Sequence, residues 1–198
     1  TSTDIDRFAE DGVTPESATF SLLSASIDNA AAVTAVPGLT INANGTWSFD
    51  PTNAAYNALA AGDTQTIDVT YQVADADGLT ATNSFSITLT GTNDIPVVDT
   101  SAISTLPGGS EGKDYVISRA QLLAGFSDLD RVNGKQQALS VSELVATDSE
   151  GNSAGTFSLN QAGDRWTFSP NANFNGDIKL SYNVSDGGPN SIAATNAF

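Results

Sequence analysis

The segment LTINANGTWSF at residues 39–49 contains two runs of alternating apolar and polar residues, separated by Asn44 and Gly45. Alternation with a period of two is typical of a β-strand that buries one face. An Asn-Gly pair between two such runs favours a two-residue hairpin turn, because both residues tolerate positive φ angles. The segment therefore predicts an antiparallel β-hairpin, with Trp47 and Phe49 on its inner face.

The same pattern returns later in the chain. Residues 67–73 (IDVTYQV) alternate, residues 75–78 (DADG) supply a turn, and residues 81–90 alternate again. Only residues 54–61 and 118–125 have enough helical character for a turn or two of helix. Many short strands with frequent turn signals indicate a β-sandwich, so we expect an all-β fold.

Four ordered pairs of segments form an internal repeat. The pairs are TDIDR 3–7 with SDLDR 127–131, GTWSFDP 45–51 with DRWTFSP 164–170, VTYQVAD 69–75 with LSYNVSD 180–186, and ATNSF 81–85 with ATNAF 194–198. Matches in one order with different offsets indicate homologous modules whose loops differ in length. We place these two tandem antiparallel β-sandwiches at residues 1–94 and 95–198.

The repeat also predicts that each module is partly truncated. Residues 96–126 have no counterpart before Thr1, and residues 86–94 have none after Phe198. The first module is expected to lack its opening strand and the second to lack most of its closing strand. Trp47 and Trp166 are expected at equivalent buried positions, and sugar stacking is the alternative role for them.

The composition restricts the ions and partners that this chain can bind. Its 198 residues include 7 basic and 23 acidic side chains, so the formal net charge is −16. Such a surface repels phosphate backbones and anionic lipids, so we expect neither nucleic-acid binding nor membrane insertion. With no Cys and no His, only oxygen ligands remain, and these suit Ca²⁺ or Mg²⁺.

Paired carboxylates recur in the loops. Asp-x-Asp pairs occur at Asp4 and Asp6, Asp75 and Asp77, and Asp128 and Asp130. Two carboxylates a few ångströms apart repel by roughly 1 to 4 kcal/mol, and a bound Ca²⁺ removes this cost. Asp also favours turns without any metal, so one such pair alone would indicate only a turn. Recurrence at matched positions, beside an Asn-Asp pair in the linker, favours Ca²⁺.

Alternating strand directions predict where these carboxylates meet. One cluster is expected at the top of the second module, beside the linker, and consists of Asn93, Asp94, Asp128, Asp130 and Asp186. A separate cluster is expected at the top of the first module and consists of Asp4, Asp6, Asp75 and Asp77.

Several motifs carry a resemblance to a known family. The segment NGTW at 44–47, with Leu59, Gly62 and TNDIP at 92–96, resembles the VCBS-type and cadherin-like repeats of large RTX adhesins. The segments YVIS 115–118, QLL 121–123, FSD 126–128 and FNG 174–176 resemble the cadherin-like extender type. The resemblance implies a type I-secreted, Ca²⁺-dependent surface adhesin of a Gram-negative bacterium, with tandem Ig-like or cadherin-like modules.

The resemblance also implies two details of the ligand set. Glu111 resembles the acidic residue that serves a further junction below the second module. Residues 130–134 (DRVNG) depart from the family pattern of two Asp and a Gly, so one expected ligand is absent there.

We therefore expect a monomeric, Ca²⁺-rigidified spacer that supports adhesion and biofilm formation. Its partners would be neighbouring repeats of the same chain, while host or surface glycans and proteins would bind through other domains. A module that itself binds glycan or peptide is the alternative, and a concave apolar pocket would support it. An enzyme is disfavoured because nucleophilic catalysis usually needs His or an activated Cys, which leaves a carboxylate-dependent glycosidase as the remote alternative.

Overall fold

The computed structural model describes residues 17–198 and divides the chain into two compact units, Thr1–Thr92 and Asn93–Phe198. We call these the first unit and the second unit. Both are built from antiparallel strands with almost no helix, so the predicted all-β fold is confirmed. The division places Asn93 and Asp94 in the second unit.

The first unit pairs a three-stranded sheet with a hairpin. Its strands are β1 (Thr19–Ile27), β2 (Leu39–Ile41), β3 (Trp47–Phe49), β4 (Thr64–Ala74) and β5 (Thr80–Thr90). The sheet has the order β1-β4-β5, and β2 pairs with β3. Alternation along β4 buries Ile67 and Val69 completely in the core between these layers. A 3₁₀ helix at Ala54–Tyr56 is shorter than the helix predicted at 54–61.

The second unit contains two three-stranded sheets and two small two-stranded sheets. Its strands are β6 (Val97–Val98), β7 (Tyr115–Ser118), β8 (Phe126–Ser127), β9 (Arg131–Val132), β10 (Lys135–Gln136), β11 (Ser140–Thr147), β12 (Gly155–Leu159), β13 (Arg165–Pro170), β14 (Lys179–Ser185) and β15 (Ile192–Ala197). The three-stranded sheets have the orders β11-β14-β15 and β12-β13-β7, and the two-stranded sheets are β6-β8 and the hairpin β9-β10. Ile117, Phe168 and Leu180 are buried between them.

Short helices link the strands of the second unit. A 3₁₀ helix spans Thr100–Ala102, and α1 spans Arg119–Leu122. Ser118 caps α1, since its hydroxyl accepts from the Gln121 N–H while the Gln121 side chain bonds back to the Ser118 N–H. This capping box fixes the start of the helix that was expected at 118–125.

The Asn-Gly pairs at 44–45 and 133–134 form different turns. Asn133 and Gly134 both have positive φ angles, 53° and 74°, and join β9 to β10 in a two-residue hairpin. Between β2 and β3 only Gly45 has a positive φ, and the Gly45 N–H bonds to the Asn42 carbonyl. The turn between β2 and β3 is therefore longer than the predicted two residues, because β2 ends at Ile41 and β3 begins only at Trp47.

The registers of the strand pairs correct one repeat match. Tyr71 lies opposite Asn83, and the equivalent Tyr182 lies opposite Ala194. Phe85 therefore corresponds to Asn196. The sequence match had paired Phe85 with Phe198, which is two residues further along the chain. A shift of two keeps every side chain on the same face of the sheet.

The two tryptophans are not equally buried, so that prediction is wrong. Trp166 is 8% exposed, whereas Trp47 is 52% exposed. Both occupy the same place in a strand pair, Trp47 opposite Ile41 and Trp166 opposite Leu159. In the second unit β7 covers the other edge of β13, with Ile117 opposite Trp166. Among the described residues of the first unit, β3 pairs only with β2.

Candidate metal centre

Five predicted ligand residues meet at one end of the second unit. Asn93 and Asp94 precede β6, Asp128 and Asp130 follow β8, and Asp186 follows β14. The buried charged side chains of the described region are all found here: Asp128 is 4% exposed, Asp130 0% and Asp186 9%. The structure thus brings the members of the expected cluster together.

Hydrogen bonds connect these residues across three segments of the chain. The Asn93 side-chain amide donates to Oδ2 of Asp186 at 2.8 Å, and the Asp94 N–H donates to Oδ2 of Asp130 at 2.9 Å. The Asp130 N–H in turn donates to Oδ1 of Asp128 at 2.9 Å. Three separate segments of the chain are therefore joined through carboxylate oxygens, and bonds to ionised acceptors are the stronger kind.

One carboxylate oxygen is left unsatisfied. Oδ2 of Asp128 is buried and accepts no hydrogen bond from residues 17–198. A buried polar atom without a partner costs about 1 to 3 kcal/mol, and more when it is charged. Either a proton or a cation is needed to offset that cost.

The electrostatic environment of Asp128 also favours a proton or a cation at its carboxylate. Burial raises the pKa of its carboxyl above the ordinary value, and the negative charges of Asp130 and Asp186 raise it further. The backbone N–H of Asp130 lowers the pKa, but by less than the raising effects combined. Within residues 17–198, the charged side chains that shift this pKa are both acidic.

The donor set fits a hard cation, although the ligands are not preassembled. Within residues 17–198 no three acidic side chains are grouped closely enough to form a metal-binding set. The amide nitrogen of Asn93 and the N–H of Asp94 instead donate to Oδ2 of Asp186 and Oδ2 of Asp130. The unsatisfied oxygen of Asp128 and the all-oxygen chemistry of its neighbours are what Ca²⁺ requires.

Two glutamines that sequence reasoning missed hold the acidic loops. The side-chain amide of Gln136 donates to the Asp128 carbonyl, and that of Gln137 donates to the Asp186 carbonyl, both at 2.9 Å. They follow the Asn133-Gly134 turn, which returns the chain from β9 to β10. That Asn-Gly pair was the available signal, because it predicts a hairpin turn at this position.

Gly188 allows the close approach of Asn93. Its N–H donates to Oδ1 of Asp186 at 2.6 Å. A Cβ at position 188 would lie 2.7 Å from the Asn93 amide nitrogen, closer than side chains tolerate. The absence of a side chain here is therefore needed for the bond between Asn93 and Asp186.

The segment that contains this cluster also identifies a family. Residues 92–198 match the family model of the cadherin-like domain. The chain belongs to the cadherin-like domain family. Residues 1–88, which include most of the first unit, match the model of a bacterial Ig domain. A search of the curated proteins found no match to this cadherin-like chain.

Solved cadherin structures are similar over most of the chain. The protocadherin gamma B4 extracellular domain is 20% identical with a TM-score of 0.41, over 91% of this chain and 28% of that one. Extracellular cadherin domains 3–6 of protocadherin gamma B2 are 18% identical with a TM-score of 0.39, over 91% and 42%. The human desmocollin-1 ectodomain is 11% identical with a TM-score of 0.38, over 91% and 34%. This chain spans less than half the length of each.

The family matches indicate the general class of these two domains. Cadherin-like and bacterial Ig domains are usually extracellular modules with adhesion-type structural roles, and they are typically non-enzymatic. No helix in the described part of this cadherin-like chain has the length and apolar character needed to cross a bilayer.

Five predicted ligands remain, namely Asp4, Asp6, Asp75, Asp77 and Glu111. Asp4 and Asp6 are outside the described residues, so the second expected cluster stays a prediction. Oδ1 of Asp75 accepts from the N–H groups of Asp77 and Leu79 at 3.1 and 2.8 Å, which is a turn-stabilising role. Glu111 is exposed on a groove of about 290 Å³ in the cadherin-like second unit, and its role as a ligand is untested.

Proposed function

We propose that this chain is a Ca²⁺-rigidified spacer segment of a large bacterial surface adhesin. In this proposal the parent is an RTX adhesin with VCBS-type and cadherin-like repeats, secreted by the type I route. It acts at the surface of a Gram-negative bacterium, in adhesion and biofilm formation. The observation that supports the proposal best is the buried, unsatisfied oxygen of Asp128 beside two further carboxylates in a cadherin-like domain.

The five cluster residues would each contribute ligand oxygens or negative charge to the bound ion. Asp128, Asp130 and Asp186 supply negative charge, and Asn93 and Asp94 supply amide and main-chain oxygens. A bound Ca²⁺ supplies the positive charge that the cluster lacks and connects the segments that these residues belong to. Without it, the three carboxylates repel one another and protonation or solvation must relieve the strain.

The covalent chain explains why such a site would stiffen an array. In the first unit the Gly91 N–H bonds to the Asp63 carbonyl at 2.8 Å, and the Gly91 carbonyl accepts from Gly62 at 3.3 Å. In the second unit Asn93 bonds to Asp186. Only Thr92 lies between these two anchored residues. An ion that holds Asn93 and Asp94 would therefore leave almost no free linker.

The energy available from one ion is adequate for this role. Extracellular Ca²⁺ modules bind with Kd values of about 10⁻⁴ to 10⁻³ M. At a Kd of about 10⁻⁴ M, 1 mM Ca²⁺ stabilises the folded state by about 1.4 kcal/mol, and a hundredfold excess by about 2.7 kcal/mol. That is enough to bias a linker of a few residues toward one conformation.

Calorimetric titration with Ca²⁺ after EDTA treatment tests the proposal directly. We expect saturable binding that Asp128→Asn weakens strongly and that the matched control Glu150→Gln leaves unchanged, because Glu150 is exposed in the loop between β11 and β12. Small-angle scattering with and without chelator should show a larger, less uniform maximum dimension without the ion. If neither binding nor scattering responds to Ca²⁺, the spacer is not calcium-dependent.

A further inference from the structure

The chain contains three Asn-Gly pairs, at residues 44–45, 133–134 and 175–176. Asparagine is a chemically labile residue. It is most labile before glycine, because no Cβ shields the glycine nitrogen from the asparagine side chain. Attack by that nitrogen requires both groups to leave their positions in the fold. The hydrogen bonds of each pair therefore decide which asparagine reacts.

Hydrogen bonds hold both reacting groups of the first pair. The Gly45 N–H donates to the Asn42 carbonyl at 2.9 Å. Oδ1 of Asn44 accepts from the N–H and from the hydroxyl of Thr46, at 3.1 and 2.7 Å. Attack of the Gly45 nitrogen on the Asn44 side chain would break these bonds, so this pair is protected.

The second pair lacks these restraints. Asn133 and Gly134 are exposed, and within residues 17–198 neither the Asn133 side chain nor the Gly134 N–H takes part in a hydrogen bond. The strands that they join, β9 and β10, have two residues each. So short and exposed a hairpin opens locally at low cost, which gives the Gly134 nitrogen access to the side chain before it.

We propose that Asn133 is a modification site, at which deamidation converts the hairpin turn to an isoaspartyl linkage. The Gly134 nitrogen loses its proton and bonds to Cγ of Asn133. The bond from Cγ to Nδ2 breaks, and the side-chain nitrogen leaves as ammonia. Water then opens the cyclic imide, either at Cγ to give aspartate or at the main-chain carbonyl carbon to give isoaspartate. The reaction consumes only water and needs no enzyme.

The isoaspartyl product does not fit this turn. Its backbone runs through Cβ and Cγ and is one methylene longer. A two-residue loop with positive φ at both positions, 53° and 74° here, determines the register of the strands that it joins. Lengthening the loop therefore removes the pairing of Lys135 with Val132 and displaces β10.

The displacement of β10 reaches the acidic cluster. Gln136 and Gln137 donate their side-chain amides to the carbonyls of Asp128 and Asp186, both at 2.9 Å. Moving β10 breaks these bonds and releases the loops that carry the two carboxylates. Modification of Asn133 should therefore weaken Ca²⁺ binding. This consequence rests on the proposed spacer function, whereas the modification itself does not.

The third pair supplies an internal reference. Asn175 and Gly176 are exposed, and no hydrogen bond from residues 17–198 holds the Asn175 side chain or the Gly176 N–H. They lie between β13 and β14, whereas Asp186 follows the other end of β14. We expect this pair to react as well, but without an effect on the acidic cluster.

Peptide mapping of the full chain, after several weeks in mildly alkaline buffer, tests the modification. The chymotryptic peptides 40–47, 130–139 and 175–180 each contain one Asn-Gly pair, and isoaspartyl methyltransferase labels the isoaspartyl product. We expect labelling of 130–139 and 175–180 to be faster than that of 40–47 by about tenfold or more, because more hydrogen bonds must break at Asn44. An unlabelled 130–139 peptide, or equal rates in 40–47 and 130–139, would overturn the proposal.

Calcium titration of the fresh and the aged chain tests the consequence. The modified fraction should bind Ca²⁺ about tenfold or more weakly. Asn133→Gly removes the reactive amide and leaves a Gly-Gly pair that also favours this turn, so its affinity should not fall on ageing. Asn175→Gly is the matched control and should lose affinity on ageing as the wild type does.

The two measurements separate this inference from the spacer function. Unchanged Ca²⁺ binding by chain modified at Asn133 would overturn the link between the turn and the cluster. If the fresh chain binds no Ca²⁺, the spacer function fails, and the peptide map alone decides whether Asn133 is modified.

Discussion

The N–H of Asp94 donates to Oδ2 of Asp130 at 2.9 Å, so the first residues of the second unit are bonded to its buried acidic loop. Asp130 is fully buried and Asp128, two residues before it, is 4% exposed. The start of the cadherin-like domain is thus tied to the least solvated carboxylates in the described chain. A change in the charge of this cluster should therefore alter how firmly Asp94 is held at the start of the second unit.

Asp128→Asn should have opposite effects with and without Ca²⁺. In EDTA the substitution removes a buried charge and its repulsion, so the melting temperature should be equal to or above that of the wild type. In millimolar Ca²⁺ the wild type should gain about 5 to 10 °C, following from about 1.4 kcal/mol of binding energy, and the variant much less. Differential scanning calorimetry in both conditions measures this. Equal calcium responses of the two proteins would contradict the metal assignment.

Gly188→Ala should weaken Ca²⁺ binding without touching a ligand. The added Cβ would lie 2.7 Å from the Asn93 amide nitrogen and would displace that side chain. Substitutions that misplace a ligand through its surroundings typically reduce metal affinity about 10- to 100-fold. Calorimetric titration measures the change. Gly108→Ala is the control, because no atom lies within 4 Å of its Cβ position, and it should bind Ca²⁺ as the wild type does.

Gln137→Ala should destabilise the second unit even in EDTA. Its side-chain amide donates to the Asp186 carbonyl at 2.9 Å, and its backbone N–H donates to the Asp130 carbonyl at 3.0 Å. Only the side-chain bond is lost, at a cost of about 0.5 to 1.5 kcal/mol in urea unfolding. Gln161→Ala, at an exposed loop position, should stay within about 0.5 kcal/mol of the wild type. A similar loss in both variants would mean that Gln137 does not hold the loop.

Alkaline pH should destabilise the second unit through Tyr182. Burial raises the pKa of its phenol above 10.0, although a hydrogen bond with Asn196 lowers it in part. Because the folded-state pKa is raised, the stabilisation is complete below about pH 10 and is lost as the pH rises through the folded pKa. Tyr182→Phe loses the bond to the Leu122 carbonyl and should lower stability by about 1 kcal/mol at pH 8. It should also flatten the decline between pH 9 and 11.

The tyrosine test has an internal control. Urea unfolding of wild type and Tyr182→Phe across this pH range should give curves that converge as the pH rises. Parallel curves would show that another group controls the alkaline decline.

Alternation was sufficient to predict β2 to β5, because burial of one face imposes it directly. Strand direction was sufficient to predict that Asp128, Asp130 and Asp186 meet, since each follows a strand that ends at the same end of the unit. The exposure of Trp47 was not predictable from its own segment, because it depends on whether another strand covers β3. Gln136 and Gln137 were missed for a similar reason, since each bonds to a backbone carbonyl in a loop distant in sequence.

Thr92 lies between the hydrogen-bonded residues Gly91 and Asn93, and this short spacing determines how far the chain can extend under load. With Gly91 and Asn93 both held, the free segment is Thr92, which spans at most about 3.5 Å when stretched. If Asn93 and Asp94 are released, the next firmly held residue is the fully buried Pro96, and the free segment grows to four residues or about 14 Å. Each junction of this kind would then lengthen by about 10 Å when its cluster opens. In an array pulled by flowing water, such junctions would act as short extensible elements whose resistance is determined by the calcium concentration.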